Sequence, residues 1–113
     1  MTNHDWVREL PIAITVVNSE GILLEMNEKS AAAFAADGGM ELVGKNVLDC
    51  HPEPSRTKLQ QQLREPKANV YTIEKAGIKK LICQTPWHRD GAFSGIVELS
   101  IELPAEVPHF VRD

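Results

Sequence analysis

Cys50 and His51 are neighbours whose side chains suit nucleophilic catalysis or metal ligation. A thiolate–imidazole nucleophile needs the ring nitrogen within hydrogen-bonding reach of the sulfur, and a third group that orients the ring. Adjacent residues rarely meet that geometry, and no oxyanion donors are evident beside this pair. A zinc site needs four ligands, usually in paired spacings, whereas the other histidines are scattered, at His4, His88 and His109. The pair therefore predicts neither an enzyme nor a metal site.

Haem is less demanding, because its iron needs only one axial ligand from the protein. His51 satisfies that requirement by residue type, so haem ligation by His51 stays open as an alternative. The simpler interpretation is that Cys50 and His51 cap or line the start of the helix predicted after Pro52 and Pro54.

A glycine-rich segment invites a different interpretation. Gly39, Gly44 and Lys45 match the spacing of a phosphate-binding loop. That loop needs Ser or Thr next, for the metal ion, and a strand before it. The chain has Asn46 at that position and a predicted helix before it, so we reject a nucleotide site.

Glu98 and Glu102 are the paired carboxylates of the chain's last predicted strand. Along residues 97–103 four apolar residues alternate with Glu98, Ser100 and Glu102, so one face is expected to be buried and the other polar. Charges on such a polar face are usually solvated rather than catalytic. The pair thus adds no catalytic site, and we expect the chain not to be an enzyme.

Composition narrows the classes of partner and compartment. The chain has 113 residues, of which 42% are hydrophobic and 25% charged, which fits one domain with an ordinary soluble surface. A net charge of -4 and a pI near 5.5 argue against nucleic-acid binding and polybasic membrane attachment. No signal peptide and no membrane-spanning apolar run are evident. Cys50 and Cys83 make no disulfide framework, so we expect reduced thiols and a cytoplasmic location.

The elements that position these residues follow from residue pattern and turn chemistry. The sequence predicts helices at residues 5–10, 28–36 and 55–65, and strands at residues 12–17, 22–26, 68–75, 78–88 and 92–103. Two strands, a helical middle and three further strands indicate an α+β domain, with an antiparallel sheet and the helices on one face. We divide the chain into an N-terminal amphipathic helix (1–10), the domain itself (11–103) and a C-terminal tail (104–113).

Several of these segments resemble the PAS domain family. Residues 14–22, reading Ile-Thr-Val-Val-Asn-Ser-Glu-Gly-Ile, are followed by Asn27 before a helix, as in the opening of PAS domains. Residues 42–45 (Leu-Val-Gly-Lys) are similar to the segment before the family's connecting helix, and residues 89–91 (Arg-Asp-Gly) with Gly95 resemble its last turn. The Cys-His-Pro run at residues 50–52 is similar to a bacterial subgroup. The resemblance implies a five-stranded antiparallel sheet of order 2-1-5-4-3, cupping helices that enclose a ligand pocket.

The same resemblance yields expectations for the site. If the face of the fourth strand that carries Cys83 and Thr85 looks into the cup, these two residues line the pocket, together with Cys50 and His51. Flavin photoreceptors of the family place a reactive cysteine three residues after the glycine, where this chain has Val47 after Gly44. A covalent flavin adduct is therefore excluded, although passive flavin binding is not.

The resemblance also implies a functional class. We expect a non-catalytic sensory or signalling module that binds a small molecule or a protein partner and transmits through dimerisation. Trp6, Val7 and Leu10 give the N-terminal helix an apolar side, and Ile96 interrupts the predicted polar face of the last strand. A PAS-like sheet leaves its outer face uncovered, so we expect the N-terminal helix of the same or of a partner subunit to lie there, and the chain to form a two-fold homodimer.

Overall fold

The computed structural model describes residues 5–113, with Cys50 described by its backbone alone. Its helices are α1 (Asp5–Arg8), α2 (Glu28–Ala33) and α3 (Ser55–Arg64), and 3₁₀ turns span Ala35–Asp37, Gly39–Leu42 and Val47–Cys50. Its strands are β1 (Ala13–Asn18), β2 (Leu23–Met26), β3 (Asn69–Lys75), β4 (Ile78–Arg89) and β5 (Ala92–Leu103). After Leu103 the chain contains no further helix or strand. The prediction for residues 1–4 lies outside the described residues.

Two of the predicted helices are shorter in the structure. The N-terminal one is a single turn, α1, because Pro11 follows closely. The second ends at Ala33, since Phe34 leaves the helical conformation and the chain tightens into 3₁₀ turns around Gly38 and Gly39, both with positive φ.

The five strands form one antiparallel sheet in the order β2-β1-β5-β4-β3, which confirms the predicted fold and strand order. Two-residue turns connect the last three strands. Ala76-Gly77 joins β3 to β4 and Asp90-Gly91 joins β4 to β5, and all four residues have positive φ. Turns of that type match the right-handed twist of the strands, so they favour long hairpins.

The core lies between one face of the sheet and the helical segment. Thr15 of β1 is hydrogen bonded to Ser30 of α2 through their side-chain oxygens, so α2 covers this face. The Gln62 side chain of α3 reaches Gln84 of β4 on the same face. We call this face the inner face; its buried core consists of Val17, Leu23, Met26, Leu42 and Ile96.

The face assignment predicted for β5 is wrong. Ile96 is buried in the core, and Glu98 and Ser100 follow it on the inner face. Cross-strand pairing puts Ile14, Val16 and the apolar residues of β5 on the opposite, outer face; those of β5 are Val97, Leu99, Ile101 and Leu103. Alternation fixes which residues share a face but not which face is covered. The face that carries the carboxylates is therefore the one under the helices.

Candidate ligand-binding site

Two adjoining cavities lie on the inner face, between the sheet and the segment that runs from α2 to α3. Their volumes are about 1010 Å³ and 270 Å³, a range typical of small-molecule sites. We call the two cavities together the cup. Its junction consists of the residues that line both cavities, namely Phe34, His51, Leu59, Gln62, Gln84 and Glu98.

A network of side-chain amides occupies the sheet side of the junction. The Oε1 atom of Gln84 accepts hydrogen bonds from Nε2 of Gln62 at 2.7 Å and from Nδ2 of Asn69 at 3.1 Å. Its Nε2 atom donates to Oε1 of Glu98 at 3.4 Å. One strand residue thereby joins α3, the start of β3 and the central strand β5. The network fixes the orientation of Gln84, because only one arrangement of its amide satisfies all three contacts.

Glu98 is the acidic side chain at the junction of the cup. Burial raises the pKa of its carboxyl above the ordinary value, and the Gln84 amide and the nearby His51 offset part of that effect. The pKa of Tyr71 is raised as well, by burial and by the charge of Glu98. These shifts place Glu98, His51 and Tyr71 in one electrostatic neighbourhood.

His51 presents a defined ring face to the cup. Its Nδ1 atom lies 2.6 Å from the carbonyl oxygen of Val47, one helical turn earlier. Because a carbonyl oxygen only accepts hydrogen bonds, Nδ1 carries the proton, and in the neutral ring Nε2 is the unprotonated nitrogen. His51 lines both cavities, and in its neutral form Nε2 is the nitrogen that can accept a hydrogen bond from a ligand.

The structure places the four predicted site residues in three different settings. His51 lines the cup. Cys83 and Thr85 do not line it; they alternate with Gln84 along β4 and lie on the outer face. The backbone of Cys50 ends the Val47–Cys50 turn, and its side chain lies outside the described residues. The condition attached to Cys83 and Thr85, that their face looks into the cup, is not met.

The residues that sequence reasoning missed are Gln84 and Glu98. Each is a polar residue in the middle of a long strand, and the two lie directly opposite each other in neighbouring strands. A polar side chain inside a long strand is the signal that could have found them. The sequence assigns it to solvent, because alternation alone does not distinguish a solvated face from a face that lines a cavity.

The glycine-rich segment has no phosphate-binding geometry. The Gly44 amide donates to the carbonyl of Leu23 at 2.7 Å, and the Lys45 amide donates to the carbonyl of Leu42 at 3.0 Å. Both N–H groups already donate to backbone carbonyls, so they are not available to bind a phosphate.

Within residues 5–113, no cluster of three or more His, Cys, Asp or Glu side chains has the makings of a metal site. Over the same residues, none of the helices combines the length and the apolar character needed to cross a membrane.

A family profile described as the PAS fold matches residues 7–78, well over half of the chain. The chain belongs to the PAS fold family. The match covers β1, β2, the helical segment and β3, and so includes α2 and α3, the helices over the inner face. Among curated proteins, none matches this PAS domain.

Solved structures share the fold at low sequence identity. A C-terminal domain from Streptococcus mutans is 24% identical, with a TM-score of 0.69 over 86% of this chain and 79% of that one. A sensory box sensor histidine kinase from Vibrio cholerae is 17% identical, with a TM-score of 0.62 and 88% of each chain covered. The Aer2 receptor from Vibrio cholerae, described as a dual PAS-heme oxygen sensor, is 19% identical, with a TM-score of 0.57 over 82% of this chain and 95% of that one.

The raised pKa of Glu98 predicts a pH-dependent difference in stability. Folding favours its protonated form, so this stabilising contribution is complete below the unfolded pKa of about 4.3 and is lost as pH rises through the higher folded pKa. The Glu98→Gln variant has no carboxyl at this position, so it does not lose stability in this way as pH rises. We therefore expect its free energy of unfolding, relative to the parent chain, to increase from pH 4 to pH 8 in urea titrations.

Glu102→Gln is the matched control for this measurement. The pKa of Glu102 is lowered by its hydrogen bond and ion pair with Lys29, whose Nζ lies 2.9 Å from Oε2. The stabilisation by Glu102 is present above its unfolded pKa and lost as pH falls, so its variant should show the opposite trend. A difference for Glu98→Gln that stays constant with pH would contradict the burial of this carboxyl.

Proposed function

We propose that this PAS domain is a non-catalytic sensory module, which binds a small molecule in the cup and transmits its occupancy through the outer face of a homodimer. The observation that carries the proposal is the cup itself, in which an amide network, an imidazole and a half-buried carboxyl converge on the junction of two cavities. Large cavities with a few convergent polar groups are the usual form of a small-molecule site. PAS domains act in general as regulatory modules, which agrees with this assignment.

The outer face supports the dimer part of the proposal. It carries the apolar residues of β5, Ile14 and Val16 of β1, and Val70 of β3, which is 57% exposed. In the described chain, α2 and α3 pack on the inner face, so neither covers this surface. A second copy would bury the same patch on both chains, as two-fold symmetry requires. The apolar residues Trp6, Val7 and Leu10 of each N-terminal segment are the proposed contributors from the partner.

Coupling between the two faces is direct, because the sheet is one layer thick. Glu98 points into the cup and its neighbours Val97 and Leu99 point to the outer face. A ligand that moves Glu98 therefore moves the backbone that carries the proposed dimer contacts. A ligand shifts the monomer–dimer equilibrium only as far as it binds the two states differently.

The ligand part of the proposal is tested by an NMR screen of the full chain against a library of small polar and apolar metabolites. We expect at least one chemical class to shift the side-chain amide signals of Gln62 and Gln84, and to change the dimer dissociation constant. Gln62→Leu should weaken that binding, whereas Gln60→Leu, on the same helix but outside the cup lining, should not. A library that perturbs none of the cup signals would overturn the proposal.

The dimer part has its own prediction. In light scattering from low to high micromolar concentration, we expect the full chain to dimerise, and a chain that starts at Pro11 to dimerise more weakly. Leu99→Lys should give a monomer, because it places a charge in the centre of the outer face. Glu106→Lys, in the exposed C-terminal tail, is the control and should leave the dimer intact. A full chain that remains monomeric throughout would contradict the dimer.

Haem is the second candidate, and the tautomer of His51 is the observation that favours it. A protonated Nδ1 held by a backbone carbonyl leaves Nε2 free, which is the usual arrangement of a metal-ligating histidine. The polar residues Glu98, Gln84 and Gln62 at the junction weigh against it, since they would face an apolar macrocycle. A strong Soret band in the purified chain that is lost in His51→Ala would establish haem and replace the main proposal.

A further inference from the structure

The charged residues of the larger cavity are ordered from its floor, where it meets the smaller cavity, to its mouth. Glu98 lines both cavities and shares the smaller one with core residues such as Val17 and Ile96, so it marks the floor. Three exposed cations line the larger cavity alone and mark its mouth; they are Lys58, Arg64 and Lys67. The smaller cavity has one exposed residue of each sign, Asp37 and Lys45. Within the described residues none of the three forms an ion pair, and Glu65 is the one other carboxylate that lines the larger cavity. Along the larger cavity, the end at the junction therefore carries the Glu98 carboxyl, and the mouth carries a net positive charge.

The hydrogen-bonding capacity of the floor agrees with its charge. One carboxyl oxygen of Glu98 accepts from Gln84, and the other has no hydrogen bond within the described chain. His51 adds the lone pair of Nε2. The Gln84 oxygen already accepts two hydrogen bonds and has no capacity left. Glu98 and His51 therefore offer acceptors at the junction, and the cationic side chains of the mouth are donors.

We propose that the ligand of the cup is a small zwitterion, whose ammonium group binds Glu98 and Nε2 of His51 and whose anionic group binds Lys58, Arg64 and Lys67. This inference rests on the proposed function, in which the cup binds a small molecule. A simple anion would leave the Glu98 carboxyl without a counter-charge and close to a like charge. A simple amine would leave the cations of the mouth unpaired. Only a ligand with both charges complements both ends.

The proposal is tested by isothermal titration calorimetry of the full chain with ω-amino acids of increasing length: β-alanine, 4-aminobutyrate, 5-aminovalerate and 6-aminohexanoate. Each is compared with the amine and with the carboxylate of the same chain length. We expect one spacing at which the zwitterion binds at least about tenfold more tightly than both of its singly charged counterparts, a difference of about 1.4 kcal/mol. If no spacing shows this preference, the inference is overturned.

Two variants assign the preference to the two ends. Glu98→Gln should abolish the preference for the zwitterion over the carboxylate while keeping the preference over the amine. The double variant Lys58→Ala/Lys67→Ala should abolish the preference for the zwitterion over the amine and keep the preference over the carboxylate. Lys75→Ala/Lys79→Ala removes the same charge from exposed positions outside the cup lining and should change neither. Equal losses in the two lysine variants would indicate a long-range field effect and contradict a site at the mouth.

Proton release on ligand binding tests the contact with Glu98 directly, because a purely structural role of Glu98 would not produce it. Because burial favours protonated Glu98, an ammonium group bound beside it should drive a proton off the carboxyl. Binding enthalpies measured near pH 5 in two buffers of different ionisation enthalpy should then reveal proton release, and Glu98→Gln should release fewer protons than the parent chain, because it lacks this carboxyl. Binding without proton release, or with equal release in the variant, would contradict the contact with Glu98.

The outcomes separate this inference from the proposed function. If uncharged or purely anionic metabolites of the NMR screen shift the cup signals and the ω-amino acids do not, the zwitterion is wrong and the sensory site stands. If neither the screen nor the ω-amino acids perturb the cup, both are wrong.

Discussion

Gly95→Ala is expected to destabilise the domain by at least about 3 kcal/mol, or to prevent folding altogether. A Cβ atom at Gly95 would overlap the Val17 carbonyl oxygen and lie 2.8 Å from the Trp87 indole nitrogen. The absence of a side chain there lets Trp87 cross β5 and donate its Nε1–H to that carbonyl at 3.0 Å. Since the clash is with backbone atoms of the central strand pair, rotation of a side chain cannot relieve it. The measurement is the free energy of unfolding in urea.

Gly91→Ala is the control for Gly95→Ala. Gly91 has φ of +82°, and a Cβ atom added there would meet no heavy atom within 4 Å, so only its backbone conformation is penalised. We expect a loss of about 1 kcal/mol from that source. If the two variants lose equal stability, conformational strain rather than the close approach of Trp87 and β1 is the reason for Gly95.

Asn27→Ala is expected to cost about 2–4 kcal/mol. The side chain is 3% exposed and makes four hydrogen bonds. Its Oδ1 accepts from the amides of Ile14 at 3.0 Å and Ser30 at 3.1 Å, and its Nδ2 donates to the carbonyls of Val7 at 3.0 Å and Ile12 at 2.8 Å. One amide thus caps α2 and ties α1 and the start of β1 to it. Alanine leaves all four partners without this bond in a region that water reaches poorly.

Asn27→Asp distinguishes the two roles of this residue. A carboxylate still accepts from Ser30 and Ile14 but meets the carbonyls of Val7 and Ile12 with no proton to donate. We expect α2 to persist and the amides of residues 5–12 to lose protection in hydrogen exchange. Asn46→Ala is the matched control, because Asn46 caps a 3₁₀ turn by accepting from the Leu48 amide and is only half-buried, so about 1 kcal/mol is expected. Equal losses at both asparagines would contradict the anchoring of α1.

Turn and cap chemistry is readable from the sequence, and it determines most of the fold. Asn27 before an alanine-rich run predicts the start of α2, where the structure has it capping Ser30. Asp90-Gly91 predicts the last hairpin, and both residues have the positive φ that this turn requires. Such signals are local, because a cap or a two-residue turn is specified within a few residues. The strand order itself came from the family resemblance that these segments carry, and the sheet confirms it.

The register of the last hairpin is decided by a bulge at Ser94, which has no partner in β4 and lies next to Gly95. Next to the turn, Arg89 pairs with Ala92 and His88 with Phe93, a register that would set Gln84 opposite Val97. An extra residue in β5 shifts the pairing between His88 and Trp87, so Gln84 faces Glu98 instead. The amide–carboxyl contact of the cup depends on that one-residue shift.

Which side of the sheet the helices cover is also a tertiary outcome. The sequence by itself determined that Ile96, Glu98 and Ser100 share one face of β5 and that Val97 and Leu99 share the other. It favoured burial of the more apolar set, because burial of apolar surface is the general rule. Only the packing of α2 and α3 over the other set turned Glu98 from a solvated charge into the floor of a cavity. A binding site needs polar groups inside, so the rule that predicts a core fails where the fold makes a pocket.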